Sequence, residues 1–332
     1  ALPEASRCNR LALGLYSIIG GLALGYEVIW SQAIVQWTST RSFAFAVVLA
    51  TYLVGIVLGS AWYARRADRT TDPWGSLGLL IAAVGLSGLV GVLFAGHWLS
   101  SFQVKAATWI FSLTQRESLA MAARFVVAAG WIVLVPTFLL GAAFPAALRL
   151  TAEPASSGRD TGRVLALNTL GGIVGTMLAG FVLVPMLGLE RSLVLMSAAA
   201  ATVGIVAVVK GTSVSRRLRW AAFACGGLAV AVGISLGPDH LARLLAEARH
   251  GRLLFHEASA AGTVAVIEQG SGRNRFRRLY IQGVSNSGDS MTSLRYMRLQ
   301  ALLPLIIHRG TPRDVLVIGL GTGITTGSLL RY

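Results

Sequence analysis

Three groups of residues in this chain have types and spacings that could do chemistry. Near the end, Gly319, Gly321 and Gly323 follow the apolar run 315–318. Glycines so spaced let a backbone approach a ligand, and the helix that should start after them offers free N–H groups, as in nucleotide-type sites. Early in the chain, Glu27 is an acidic residue deep inside an apolar stretch. An intramembrane carboxylate is a functional candidate, for a proton or a substrate, or else a structural partner for Asn168, Arg124 or a backbone group. The third group is charged and lies in the more polar part. Arg273, Arg275, Arg277 and Arg278 surround Phe276, and Asp289 and Glu257 are the nearest acids. The arginines suit a solvated hairpin end or lipid headgroups better than nucleic acid. Asp289 reads first as a helix cap. Two cysteines, Cys8 and Cys225, give neither a disulfide framework nor a metal site.

Composition says what must hold these groups. The chain has 332 residues, 54% hydrophobic and 13% charged, with a mean hydropathy of +0.66. A soluble domain carries about 25% charged residues. The net charge of +15 divides into +9 up to Gly237 and +6 beyond it. The first part keeps its charges between apolar runs, and the second spreads them as a water-soluble domain does. Seven runs reach the ~17–25 residues that span a bilayer: 11–36, 42–63, 75–96, 120–146, 164–186, 192–209 and 219–237. The stretch 97–115, with Trp98, Phe102, Trp109 and Phe111, reads as an interfacial amphipathic helix. Trp30, Trp37, Trp62, Trp74, Trp98 and Trp220 stand near run ends, as interfacial anchors do.

Loop charges set an orientation. With the N-terminus inside, Arg7, Arg10, Arg65, Arg66, Arg69, Arg149, Arg159, Arg163, Lys210, Arg216, Arg217 and Arg219 are inside, against Arg41, Lys105, Arg116 and Arg191 outside. The positive-inside rule therefore predicts a cytoplasmic N-terminus. Seven spans then place the polar part on the periplasmic side. Gly171, Gly172, Gly175, Thr176 and Gly180 have the small-residue spacing of helix–helix contact.

After Gly237, residues 239–249 suit a short amphipathic helix. Strands are predicted at 252–257, 263–269 and 278–282, the last two joined by a Gly270-Ser271-Gly272 turn. Residues 290–308 have helical spacing with Pro304 inside, which predicts a kink or break. A buried strand and the glycine turn follow. The parts are thus 1–237 (transmembrane), 238–289 (linker helix and small β domain) and 290–332.

Several motifs carry a family resemblance. Tyr26-Glu27-Val28-Ile29-Trp30, the GAAFP of 141–145, Asn168-Thr169-Leu170-Gly171-Gly172, Leu279-Tyr280-Ile281-Gln282-Gly283, the SLRYMRLQALLPL of 293–305 and the glycine turn together resemble bacterial fused transporter/spermidine-synthase-like membrane proteins. The stretch 59–69 is a loose echo of a major-facilitator loop. The resemblance implies a polytopic α-helical membrane protein of about seven transmembrane helices. A small β domain and the first strand–turn–helix of a Rossmann-like methyltransferase fold would follow. It also implies a bacterial inner-membrane location and, by analogy, a cytoplasmic β domain, against the charge-based side. Ile324 stands where a dinucleotide fingerprint has its third glycine, which favours S-adenosylmethionine or its decarboxylated form over NAD.

The resemblance further implies a chain truncated within the cofactor domain. The ribose-binding acid, about twenty residues past the turn, and the catalytic Asp fall beyond Tyr332. Gln282 and Met297-Arg298 stand where true synthases have acidic or His-Glu residues. Arg295 and Arg298 would repel a polyamine. No bound cofactor is therefore expected for this chain, and Gly319, Gly321 and Gly323 read as a vestigial or incomplete cofactor site. A non-catalytic membrane subunit or scaffold, and a transporter-like protein centred on Glu27, are the alternatives. Expected partners are the lipid bilayer and a homo-oligomer or membrane complex, not nucleic acid.

Overall fold

A computed structural model describes residues 4–38, 41–151, 157–237, 239–259 and 262–330. The side chains of Arg7, Cys8, Trp37, Arg41 and Arg159 lie outside the described residues, as does Tyr332. Nine helices fill the first part: α1 (Glu4–Thr38), α2 (Arg41–Ala67), α3 (Pro73–Leu93), α4 (His97–Thr114), α5 (Glu117–Ile132), α6 (Leu134–Thr151), α7 (Ser157–Leu178), α8 (Val184–Lys210) and α9 (Arg216–Ser235). A π-helical turn, Ala179–Leu183, joins α7 to α8.

Among the described residues six helical stretches are long and apolar enough to cross a membrane: Arg10–Val35, Phe45–Ala67, Pro73–Leu93, Leu134–Thr151, Asp160–Lys210 and Arg216–Ser235. The fifth has 51 residues, about 75 Å if straight, against a hydrocarbon core of about 30 Å. It is not straight. Gly188 has φ 78 and ψ 172, a non-helical conformation inside the run. Gly25 of α1 faces Gly175 of α7, Ala179 of the π-turn and Met196 of α8. A straight helix would hold Gly175 and Met196 about 30 Å apart. The chain therefore doubles back at Gly188, and its two arms cover the runs predicted at 164–186 and 192–209.

The run predicted at 120–146 is divided at Val133 into α5 and α6. Residues 97–114 are helical, and α4 packs along α5 as a hairpin closed by Gln115 at φ 52. At its base Trp98 meets Trp131 edge-on, ring centroids 4.7 Å apart, and the Trp131 indole donates to the Gly91 carbonyl at 2.9 Å.

Small residues set how the helices pair. α1 packs along α7, α2 along α6 and α3 along α8. A methyl group on Gly175 would overlap the backbone of Gly21, and one on Gly141 the backbone of Ile56. Such close approach gives helices dispersion contacts where apolar lipid supplies no hydrophobic drive. Lesser interfaces join α3 to α6, α1 to α8, α1 to α2 and α6 to α7. Exchanging α1, α2 and α3 with α6, α7 and α8 returns this same set of pairs. The helical part is thus packed as two three-helix repeats, with α9 added against α3 and α8.

The two ends of the bundle differ in charge. At one end Arg149 donates to the Ala67 carbonyl and stands 3.4 Å from Asp68. There too the Asp72 carboxylate accepts from the N–H groups of Gly75 (2.7 Å) and Ser215 (2.6 Å). Arg65, Arg66, Arg69, Lys210, Arg216, Arg217 and Arg219 belong to these helix ends. At the other end Glu190 accepts from the N–H groups of Asp239 (2.8 Å) and Leu241 (2.6 Å), fixing the start of α10 (His240–Ala248).

The sheet sits on this second end. Strands β1 (Gly251–Ser259), β2 (Gly262–Gln269), β3 (Phe276–Ile281) and β4 (Val284–Gly288) form an antiparallel meander in the order β1-β2-β3-β4. Its core joins Leu245 and Ala246 of α10 to Ala265, Ile267 and Tyr280. β4 is a fourth strand beyond the three predicted. It follows a two-residue turn, Gln282-Gly283, with φ of 50 and 73, the primed geometry that matches strand twist.

Two expectations for the last part are corrected. α11 (Met291–Ile307) runs through Pro304 without a break. Proline removes one N–H and crowds the preceding turn, but only three residues of helix follow it. The strand expected at 315–318 is not formed. A parallel-type strand needs partners on its edges and cover on both faces, and among the described residues Leu316 and Ile318 are 84% and 90% exposed. A short helix, α12 (Ile324–Leu329), does follow the glycine turn.

Candidate functional sites

The glycine turn has positive φ at Gly319 (92), Gly321 (54) and Gly323 (73), a conformation open to glycine at no steric cost. A Cβ at Gly319 or Gly323 would meet nothing within 4 Å, so this backbone is open to approach. Gly321 lies over β4, near Asn286 and Ser287. The hydroxyls of Ser287 and Thr326 are buried without a hydrogen-bond partner among the described residues. Buried polar atoms are rarely left so; among the described residues the Trp30 indole N–H and the Tyr63 hydroxyl are in the same state. The open turn fits the backbone part of a nucleoside site. A ribose-binding acid and a base are not among the residues gathered there. Arg295 and Arg298 are exposed on α11.

The other polar candidates separate by role. Asp289 accepts from the Arg277 N–H at 2.5 Å, and its own N–H donates to the Arg277 carbonyl, so it pins the end of β3. The helix cap expected of Asp289 is made by Ser290, which accepts from the Ser293 N–H. Glu257 is exposed on β1. Arg273, Arg275 and Arg277 are exposed, and Arg278 lies over the Phe276 ring, 5.4 Å from its centroid.

Glu27 and Asn168 are not brought together. Asn168 packs against Gly20, two turns of α1 or about 10 Å from Glu27, and Arg124 is exposed on α5. Glu27 is half-buried. The buried Tyr52 of α2 lies within its electrostatic reach.

A cleft between bundle and sheet was not foreseen from sequence. One cavity of ≈ 330 Å³ is lined by Ser31, Gln32, Phe45, Gly180, Thr263 and Gln282, among others. A second of ≈ 290 Å³ holds Glu190, Arg191, Asp239, His256 and Glu257. They share Gly188, Leu189, Ala258 and Thr263, so they form one cleft. In it His256 Nδ1 stands 2.5 Å from Asp239 Oδ1. These residues come from α1, α2, α8 and the sheet, and no local pattern announces their meeting.

Comparison with known proteins bears on the whole chain. It is 28% identical over 334 aligned residues to polyamine aminopropyltransferase 2 of Ralstonia nicotianae, covering 98% of this chain and 60% of that protein. It is also 28% identical to polyamine aminopropyltransferase 1 of the same organism, over 98% of this chain and 58% of the relative. The chain thus spans about three fifths of the length of the curated relatives it matches. No family model matches it, and no solved structure does. The aligned stretch, 98% of the chain, includes the membrane-length helices, the sheet and the glycine turn.

Proposed function

We propose that this chain is the membrane-anchored part of a spermidine-synthase-like transferase whose donor is S-adenosylmethionine or its decarboxylated form. Similarity to two aminopropyltransferases over 98% of the chain carries this reading. The open glycine turn supports it. In the reaction an acceptor amine nitrogen attacks the carbon bonded to the donor's sulfonium. A C–N bond forms, the C–S bond breaks, a neutral thioether leaves and the new ammonium gives up a proton. Gly319, Gly321 and Gly323 would hold the donor's nucleoside part. Among the described residues no acid or base is gathered at the glycine turn to take the proton, so residues 1–332 are proposed to be incompetent alone. The reading frame carried to its stop codon should convert putrescine and decarboxylated donor to spermidine in isolated membranes. Absence of that conversion removes the transferase reading. Conversion by residues 1–332 alone would instead overturn their incompetence.

One observation favours a second reading, a non-catalytic subunit or scaffold in the bacterial inner membrane. The arginine-rich helix ends stand opposite the sheet, and the positive-inside rule directs that end to the cytoplasm. With α7 and α8 counted as separate passes, the helices cross seven times and the sheet is periplasmic. A nucleotide-type donor is cytoplasmic, so a periplasmic sheet supports the scaffold over the enzyme. A homo-oligomer or a larger membrane complex is then the proposed setting.

A further inference from the structure

The cleft between bundle and sheet has two kinds of wall. In the larger cavity Val35, Phe45 and Val184 are apolar, and Gln32, Thr263 and Gln282 bring polar atoms from α1 and the sheet. The smaller cavity holds the charged groups, and three of them serve the fold. Glu190 accepts from two N–H groups at the start of α10, and Asp239 faces His256. Arg191 and Glu257, both exposed, are the lining charges that neither arrangement uses. Among the described lining residues this leaves one cation and one anion next to an apolar hollow. Arg191 also stands in the first turn of the helical arm that follows Gly188, where the helix dipole favours an anion. A guanidinium there suits a phosphate, whose oxygens it binds in pairs.

Two lining residues also face outward on membrane-length stretches. Phe45, which opens the stretch Phe45–Ala67, is 57% exposed and lines the larger cavity. Met186, within the stretch Asp160–Lys210, is 76% exposed and lines the smaller one. On the same side the π-turn presents Gly180 to the larger cavity, where a Cβ would meet nothing nearer than Val28 at 3.8 Å. Such turns are frequent at functional sites, and this one leaves a gap in the apolar wall instead of a side chain. A ligand can therefore reach the cleft from the bilayer. Its apolar chain stays against lipid while its polar end lies between bundle and sheet. Volumes of ≈ 330 and ≈ 290 Å³ are those of small-molecule pockets, with room for a headgroup and the start of a chain.

We propose that the cleft binds a zwitterionic phospholipid, its phosphate on Arg191, its cationic group on Glu257 and the start of one acyl chain in the hollow beside Phe45 and Gly180. The proposal rests on the membrane-anchored part of the reading above, not on the transferase chemistry. Retention of the chain in membranes through an alkaline carbonate wash tests that part separately. The lipid itself is read by native mass spectrometry of the chain released from micelles holding equimolar dioleoyl phosphatidylcholine, phosphatidylethanolamine and phosphatidylglycerol. One retained phospholipid per chain is expected, either zwitterionic lipid at least fivefold over the anionic one. Glu257→Gln should bring that preference below twofold, and Arg191→Gln should cut retention of all three at least fivefold. Ala258→Trp, at a residue common to both cavities, should block retention, whereas Arg217→Gln at the far end of the bundle leaves it unchanged. Thermal unfolding checks that each variant folds, and Ala258→Trp is the second probe if a charge variant does not. No retained lipid, preference for the anionic lipid, or an unchanged preference in a folded Glu257→Gln would each overturn the proposal. Equal retention of the three lipids would show annular lipid only and overturn it as well. A chain that survives the carbonate wash but shows any of these outcomes loses this proposal and keeps its membrane reading.

Discussion

The hydroxyls of Tyr26 on α1 and Ser197 on α8 lie 2.9 Å apart, and both residues are fully buried. The Tyr26 ring stacks on Trp30, centroids 4.7 Å apart. This hydrogen bond joins the first helix of one repeat to the last helix of the other. Interhelical bonds of this kind are worth about 0.6 kcal/mol on average and up to about 1.7. Ser197→Ala and Tyr26→Phe are each expected to destabilise the bundle by about 1 kcal/mol. The double variant should lose less than their sum, because it leaves no orphaned hydroxyl. Denaturant titration in mixed micelles measures all three.

Asp72 is expected to matter more. Its buried carboxylate satisfies N–H groups at the starts of both α3 and α9. Asp72→Ala leaves both unmet and should cost about 2 kcal/mol. Gly75 and Ser215 donate to different oxygens, so Asp72→Asn keeps one acceptor but turns its NH2 toward the other N–H, and it should recover only part of that loss in the same titration.

At Gly188 the expected penalty is conformational. Its φ of 78 with ψ of 172 belongs to a region essentially reserved for glycine. A Cβ there would meet Ala258 at an ordinary 3.4 Å, so space is not the obstacle. Gly188→Ala should destabilise by about 1–3 kcal/mol. It should also loosen the α7–α8 reversal, seen as faster proteolysis between those helices.

The side of the sheet is open to direct measurement. With Cys8 and Cys225 replaced by serine, Ser271→Cys in the β2–β3 turn and Thr212→Cys before α9 provide two exposed reporters. In sealed spheroplasts a membrane-impermeant maleimide is expected to label position 271 and spare position 212. Labelling of 212 with 271 spared would reverse the orientation and return the glycine turn to the cytoplasm.

Much of the helical part could be read from sequence because lipid imposes long apolar runs. The runs around 42–63 and 75–96 reappear in α2 and α3 within a few residues, and β1 to β3 follow their alternating or bounded patterns. What could not be read depended on partners distant in the chain. β4 (Val284–Gly288) is short and polar, and it exists because a tight turn lays it on β3. Residues 315–318 have every local mark of a strand, yet a strand is defined by its neighbours, and the described residues supply none. Pro304 looked like a breaker, but its position decided otherwise, one turn from the helix end. Glu27 was visible as a lone acid, whereas the cleft between bundle and sheet is assembled from strands and helices far apart in sequence.

The repeat packing of the helices has a consequence for biogenesis. The contacts among α1 to α3 and α6 to α8 return to themselves when the two halves are exchanged, so this set of pairs alone does not distinguish up from down. Turned over in the bilayer, α1 to α3 and α6 to α8 would trade places and find the same kinds of neighbour. What breaks the tie is written at the helix ends, in Arg65, Arg66, Arg69, Arg149 and the arginines that open α9. By the positive-inside rule these loop charges, more than the pairing of the six helices, are expected to set which way the chain is inserted.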